Sequence, residues 1–451
     1  MFRIVVATAA VLVTSTLTAA PAVAHDSPLI TVSDHGRHQS IDGFGIATAF
    51  DRVELLRGLS PAQQNEIFGL WFDRTTGAGL SILRLGIGSS PLGSPYDKMI
   101  SIEPNDPGGP DAPPQYVWNG DDNGQVWVAK VAQSYGVRRF YADAWSAPGF
   151  MKTNGNENNG GMVAPEWAAA YARYLVQYTK FYAQEGIRIT DLGFTNEPDF
   201  TATYASMRYT PAQAAQFISV LGPIARGTGV HLTCCDSFGW DQAKAYTSAI
   251  EADPQARRFV TTFTGHAYAS PVTSPQPTNN HTWMTEWNPN GTTWNANWDD
   301  GSGYDGFTVA QAVQNALTLG NVSAYVYWVG DSTGATRALI QIDQPNQTFH
   351  VSKRLWALAA FSRFIRPGAV RLDTSVTNPA LQVSAFRNEN GSTVFEILNT
   401  GTTPVDWHGV FGHATSYLTD NTHSLSPSRV IGRTVTLQPR ALTTIVIGDR
   451  R

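Results

Sequence analysis

Basic charge, cysteine and late apolar runs are all scarce in this chain, and each scarcity excludes something. Across 451 residues, 31 Lys and Arg face 36 Asp and Glu, and charged residues make up only 15%. A nucleic-acid binder would carry a basic stripe, so no nucleic-acid partner is expected. There are 2 cysteines, the neighbours Cys234 and Cys235. Two cysteines cannot build a disulfide framework. They are either a vicinal bridge or two small residues at a strand end. No C-x-x-C or H-E-x-x-H spacing occurs, and neither a metal nor another cofactor is expected. Asn119-Gly120-Asp121-Asp122-Asn123-Gly124 has the look of a calcium loop. Its twelfth position is Lys130 instead of Glu, so it reads as a solvated turn. After the N-terminus no apolar run is long enough to span a membrane. No oligomer signal stands out, and a monomer is expected.

The N-terminus itself has the secretory pattern. Arg3 precedes an apolar stretch from Ile4 to Val13, and Ala22-Val23-Ala24 offers a cleavage site. Residues 1–24 are therefore expected to be a leader, and the mature protein to be extracellular. Aromatic residues are abundant, with 13 Trp and 16 Tyr. They suit a large core, and equally a sugar cleft, where pyranose faces stack on flat rings.

Strands and helices alternate along most of the chain. Ser60-Pro61-Ala62-Gln63 and Thr210-Pro211-Ala212-Gln213 both have capping-box spacing with Pro at the first helical position. A long helix is predicted over residues 165–184, with a tyrosine-rich stripe that reads as core packing. Short apolar runs of strand length begin near Ile41, Leu80, Arg139, Asp191, His231, Val260, Thr282 and Ala324. Eight such alternations predict an α/β fold, a (β/α)8 barrel, with a doubly wound sheet as the alternative. The barrel is expected over residues 41–366. Beyond Arg366-Pro367-Gly368 the texture becomes alternating and rich in Gly, Asn and Thr. Residues 367–451 are expected to form an antiparallel β-sandwich, joined by a strand from residues 25–40.

In a barrel the site lies at the carboxyl ends of the strands. Those ends carry Arg84, Asp143 with Trp145, Asn196 with Glu197, Asp236, His266 with Tyr268, Glu286 with Trp287, and Trp328. Glycosidic cleavage needs a proton donor and a second carboxylate across the sugar. Glu197 ends the fourth predicted strand and Glu286 the seventh, so they would face each other across the barrel mouth. Asn196 precedes Glu197 and is placed to bond a sugar 2-hydroxyl. Pro198 is expected to hold Glu197 in extended backbone.

Five segments together are similar to glycoside hydrolase family 30. They are Ile41-Asp42-Gly43-Phe44-Gly45, Gly79-Leu80-Ser81-Ile82-Leu83-Arg84, Ala144-Trp145-Ser146-Ala147-Pro148-Gly149-Phe150-Met151-Lys152, Phe194-Thr195-Asn196-Glu197-Pro198 and Met284-Thr285-Glu286. Phe361–Gly368 resembles that family's exit from barrel to sandwich. The resemblance covers nearly the whole mature chain. It implies a retaining β-glycoside hydrolase with Glu197 as acid/base and Glu286 as nucleophile, and a side sandwich built from both termini. Within it, Arg84 would hold the nucleophile ionised, and Tyr268 would hydrogen-bond Glu286. Trp145 and Trp328 would floor the sugar sites, and His266 would bind a hydroxyl or orient a neighbour. The stretch from Ser101 to Trp145 looks most like the xylanase branch, which implies an endo-β-1,4-xylanase acting on xylan or glucuronoxylan. Arg52, after the first barrel strand, is the candidate for a glucuronic acid branch. Endo-β-1,6-galactanase and β-glucosidase or glucosylceramidase activities remain open, as does a non-catalytic carbohydrate-binding role.

Overall fold

The computed structural model describes residues 29–94, 99–334, 337–409 and 412–448. The expected leader lies outside the described residues. The chain enters through strand β1 (Ile30–Ser40), then forms eight parallel strands. These are β2 (Gly43–Ala47), β3 (Ile82–Ile87), β4 (Arg139–Ala144), β5 (Asp191–Leu192), β6 (His231–Ser237), β7 (Val260–His266), β8 (His281–Glu286) and β9 (Ala324–Tyr327). They close into a barrel, β9 pairing back on β2. This is the (β/α)8 architecture, and it settles against a doubly wound sheet, which has two open edges.

Helices α1 (Arg52–Arg57), α2 (Pro61–Phe72), α3 (Gln125–Ser134), α4 (Ala168–Gln184), α5 (Pro211–Ala225), α6 (Trp240–Ala252), α7 (Gly306–Thr318) and α8 (Lys353–Phe364) surround it. Both capping boxes form. Ser60 and Thr210 each accept from the backbone of the glutamine three residues on, and that glutamine bonds back. Each such cap is worth about 1 kcal/mol.

The tyrosine stripe of α4 packs as expected and also ties down strand ends. Tyr171 donates to the Phe194 carbonyl at 2.8 Å, and Tyr174 to the Gly88 carbonyl. Tyr178 and Tyr182 donate to Asp122 at 2.6 and 2.7 Å. The 119–124 turn is therefore not solvated as expected. Asp122 points inward and is buried, and its Oδ2 also accepts from Gln125 at 2.9 Å. Gln125 in turn clamps the backbone of Gly86 in β3. Cys234 and Cys235 are bonded to each other within β6.

An unexpected insert follows β9. β10 (Asp331–Ser332), β11 (Ile340–Asp343) and β12 (Thr348–Val351) form a small sheet beside the barrel mouth. The remaining strands are β13 (Val370–Val376), β14 (Leu381–Arg387), β15 (Thr393–Asn399), β16 (Val405–His408), β17 (Ala414–Thr419), β18 (Ser426–Arg429), β19 (Thr434–Leu437) and β20 (Ala441–Ile447). Their main sheet runs β1-β13-β14-β15-β20-β17-β18, and β16 pairs with β19 in a second layer. β1 is antiparallel to β13, so the first and last described strands share this sheet. Its inner face holds a core of its own, including Leu372, Ile397, Trp407 and Ile445.

Candidate active site

The strand ends converge on one buried guanidinium. Arg84, in β3, is fully buried. Its Nη1 donates to Glu286 Oε2 at 2.5 Å. Its Nη2 faces Asp236 Oδ2 at 2.8 Å, Asp143 Oδ2 at 2.9 Å and Asn196 Oδ1 at 2.7 Å. Strands β4, β6 and β8 and the segment after β5 thus share one cation, which also lies 4.5 Å from the centre of the Trp145 ring. Arg84 takes Oδ1 of Asn196, which leaves that amide its N–H donors.

Glu197 does not adopt the extended backbone expected before Pro198. Its φ is 47°, and that of Asp236 is 50°. Such left-handed backbone in non-glycine residues costs on the order of 1–3 kcal/mol and persists only where neighbours enforce it. Here the Glu197 N–H donates to the Asp236 carbonyl at 2.9 Å, and the Phe200 N–H closes a turn on the Glu197 carbonyl. The two unusual backbones brace each other.

His266 bridges the carboxylates. Its Nδ1 lies 2.9 Å from Glu197 Oε1, and its Nε2 lies 3.7 Å from Asp236 and 3.9 Å from Glu286. One atom each from Glu197, His266 and Glu286 all fall within 4.8 Å of one another. Burial alone would lower the imidazole pKa. Glu286, Asp236 and Glu197 outweigh it and hold the ring at about 10. Burial pushes the Glu197 carboxyl up to about 7, with the His266 contacts pulling the other way. Burial and then the charge of Asp236 hold Asp143 well above the carboxylate range. Asp236 goes the other way, because Arg84 and His266 outweigh its burial. Asp143 and Glu197, both with raised pKa, therefore sit among the side chains of Arg84, His266, Asp236 and Glu286.

Above these groups opens a cleft of about 890 Å³. Tyr268 reaches Glu286 Oε1 at 3.1 Å and is held by Asn288 at 3.0 Å. On one flank Phe50 packs edge-on against Trp145, Trp328 and Tyr204. On the other, Phe200, Phe238 and Tyr268 form a stack.

Residues 41–312 match the Glycosyl hydrolase family 30 TIM-barrel domain, and residues 368–445 match the family 30 beta sandwich domain. The chain belongs to glycosyl hydrolase family 30. A solved relative, the catalytic domain of GH30 xylanase C from Talaromyces cellulolyticus, is 37% identical. It superposes with a TM-score of 0.86 over 93% of this chain and 100% of that one. Glucuronoxylanase XynC of Bacillus subtilis is 27% identical over 68% of this chain and 73% of its own. Endo-1,6-beta-D-glucanase neg1 of Aspergillus fumigatus is 26% identical over 82% of this chain and 81% of its own.

In this family 30 hydrolase the expected site residues divide into two groups. Glu197, Glu286, Tyr268, Trp145 and Trp328 line the cleft, though Trp145 is only 2% exposed. Arg84, expected to hold the nucleophile, lies on Glu286, and His266, expected to bind a hydroxyl or orient a neighbour, lies on Glu197. Both are fully buried and reach substrate only through the carboxylates they hold. Arg52 is the first residue of α1 and lines the cleft, with Nη1 donating to Ser332 at 3.2 Å and Nη2 near Asp51 at 3.3 Å. Sequence reasoning missed Phe50, Tyr204, Phe200 and Phe238. Phe50 follows β2 by three positions, so extending the strand-end rule past the strand finds it. Phe238 directly follows β6, so the same rule finds it, whereas Phe200 and Tyr204 sit on loops with no periodic signal.

Proposed function

We propose that this family 30 hydrolase is a secreted, retaining endo-β-1,4-xylanase that works by double displacement. The observation that carries the mechanism is the close approach of Glu197 and Glu286, whose oxygens come within 4.8 Å. Retaining pairs sit about 5–5.5 Å apart, whereas inverting pairs leave about 6.5–9.5 Å for a water. The environments support the roles. Glu197, pushed up to about 7, is the acid. Glu286, ion-paired with Arg84 and bonded by Tyr268, is the nucleophile.

In the first step a Glu286 oxygen bonds the anomeric carbon as the glycosidic C–O bond breaks. The Glu197 proton goes to the leaving oxygen. In the second step Glu197, now a carboxylate, takes a proton from water. The water oxygen bonds the anomeric carbon, and the bond to Glu286 breaks. Asn196 keeps its amide donors for the 2-hydroxyl, a contact that strengthens in the transition state. The xylan assignment rests on the 37% identity to a GH30 xylanase and on the relatedness to a glucuronoxylanase. Arg52 is the candidate partner for a glucuronic acid branch, and the leader pattern of residues 1–24 supports export.

The test is a panel of glucuronoxylan, arabinoxylan, β-1,6-galactan, β-1,6-glucan and aryl β-glycosides, with product lengths read for endo action. Cleavage of a β-1,6-glycan alone would sink the xylanase assignment. Hydrolysis persisting in Glu286→Ala would sink the nucleophile. Proton NMR of the first-formed anomer checks retention. In Arg52→Gln the rate on glucuronoxylan should fall relative to arabinoxylan.

A further inference from the structure

A second cavity, of about 640 Å³, lies at the opposite end of the barrel from Glu197 and Glu286. Its walls come from the amino ends of the barrel strands, from the Arg366-Pro367 connection and from the β14–β15 turn at residues 388–390. Five arginines line it: Arg74, Arg138, Arg139, Arg188 and Arg366, with only Asp42 and Glu389 opposing them. No lysine takes part. That concentration is notable in a chain whose acids outnumber its lysines and arginines, 36 to 31.

Most of this charge is uncompensated. Arg139 is neutralised by Asp42 and Asp191. Among the described residues, no carboxylate pairs with the other four. The guanidinium groups of Arg138, Arg188 and Arg366 donate only to backbone carbonyls among the described residues. Burial and the neighbouring Arg74 draw Arg366 down to about 10, as expected for a cation held among like charges. Arg74, Arg138 and Arg188 are exposed, so their remaining N–H donors are open to a ligand.

We infer that this cavity is a second carbohydrate site, one that takes a carboxylated sugar chain. The volume falls within the usual range for ligand sites, about 300–1,000 Å³. It far exceeds what one inorganic oxyanion fills. Guanidinium forks match carboxylates bidentately. Exposed Glu389 on the rim repels a compact polyphosphate but accepts hydrogen bonds from hydroxyls. A uronate chain, with charges spaced by hydroxyl-rich rings, satisfies both conditions. Pectic oligogalacturonate and glucuronic acid side groups of xylan share this chemistry. The inference does not depend on which glycan the barrel mouth cleaves.

The experiment is calorimetric titration of the full chain with trigalacturonate and with a glucuronic-acid-substituted xylooligosaccharide. Neutral xylotriose and inorganic phosphate serve as controls. Trigalacturonate should bind, more weakly at high salt, and at least about tenfold more weakly in Arg74→Gln/Arg188→Gln. Both positions are exposed, so melting temperature and hydrolysis at the mouth should be unchanged in that variant. Binding of the branched oligosaccharide that also weakens there assigns glucuronic acid side groups as ligands; binding that does not weaken restricts the site to galacturonate. Three results overturn the inference: no binding of trigalacturonate, binding undiminished in the variant, or phosphate binding as tightly as the uronate.

Discussion

Replacing His266 with Asn tests the electrostatic design of the site. The imidazolium donates to Glu197 Oε1 at 2.9 Å and opposes the upward push of burial on that carboxyl. Removing the cation leaves burial and the charge of Glu286, both of which raise the Glu197 pKa from its value of about 7. An opposite charge at such range commonly moves a carboxyl by about 1–3 units. Each unit is about 1.4 kcal/mol, so the variant should hold the Glu197 proton about 1.4–4 kcal/mol more tightly. If Glu197 is the acid, kcat/KM requires its proton and falls as pH rises through its pKa. The alkaline limb, expected near 7 in the parent, should move up by about 1–3 units in His266→Asn. The maximum should fall as well, because a weaker acid delivers its proton less readily. The assay is a pH profile of kcat/KM on an unactivated oligosaccharide, whose poor leaving group needs the acid. An aryl glycoside with a good leaving group should show little limb in either protein. Circular dichroism melts confirm folding. A limb that stays in place, or moves to lower pH, refutes the coupling of His266 to Glu197.

Arg84→Met strands Asp236 and Glu286 without their shared cation. Breaking a buried ion cluster this way costs about 3–5 kcal/mol, read as a lowered urea midpoint; a change under about 1 kcal/mol would mean that the cluster is not held by Arg84. Glu396 is fully buried in the side domain, with Oε2 bonded by Thr444 and Oε1 without a partner. Burial holds its pKa well above the carboxylate range. Its folded pKa exceeds its unfolded one, so its contribution is whole below about pH 4.5 and is lost as pH rises towards the folded value. Glu396→Gln should therefore gain melting temperature over the parent as pH rises from about 5 to 9, and a constant difference across that range would refute the assignment.

The barrel was legible because its signals are local. Eight apolar runs and two capping boxes can be read one segment at a time. The family segments lie where those runs end, so Glu197 and Glu286 were found together. The insert β10–β12 was missed although Ile340–Asp343 alternates buried and half-buried residues. Its strands are only two to four residues long, too short to stand out from a loop. The extended backbone expected at Glu197 failed for a different reason. The local preference imposed by Pro198 is small beside the hydrogen bonds that fasten Glu197 to Asp236 and Phe200.

By itself the sequence determined where the barrel strands lie along the chain, the two capping-box helix starts and the identity of the two glutamates, since each depends on neighbours in the chain; strand order waited for barrel closure. Tertiary structure alone decided the electrostatic surroundings of those glutamates. Arg84 meets Glu286 across 202 positions and Asp236 across 152, and His266 meets Glu197 across 69. Protonation depends on burial and on charges a few ångströms away, and only the closed barrel brings those charges within reach.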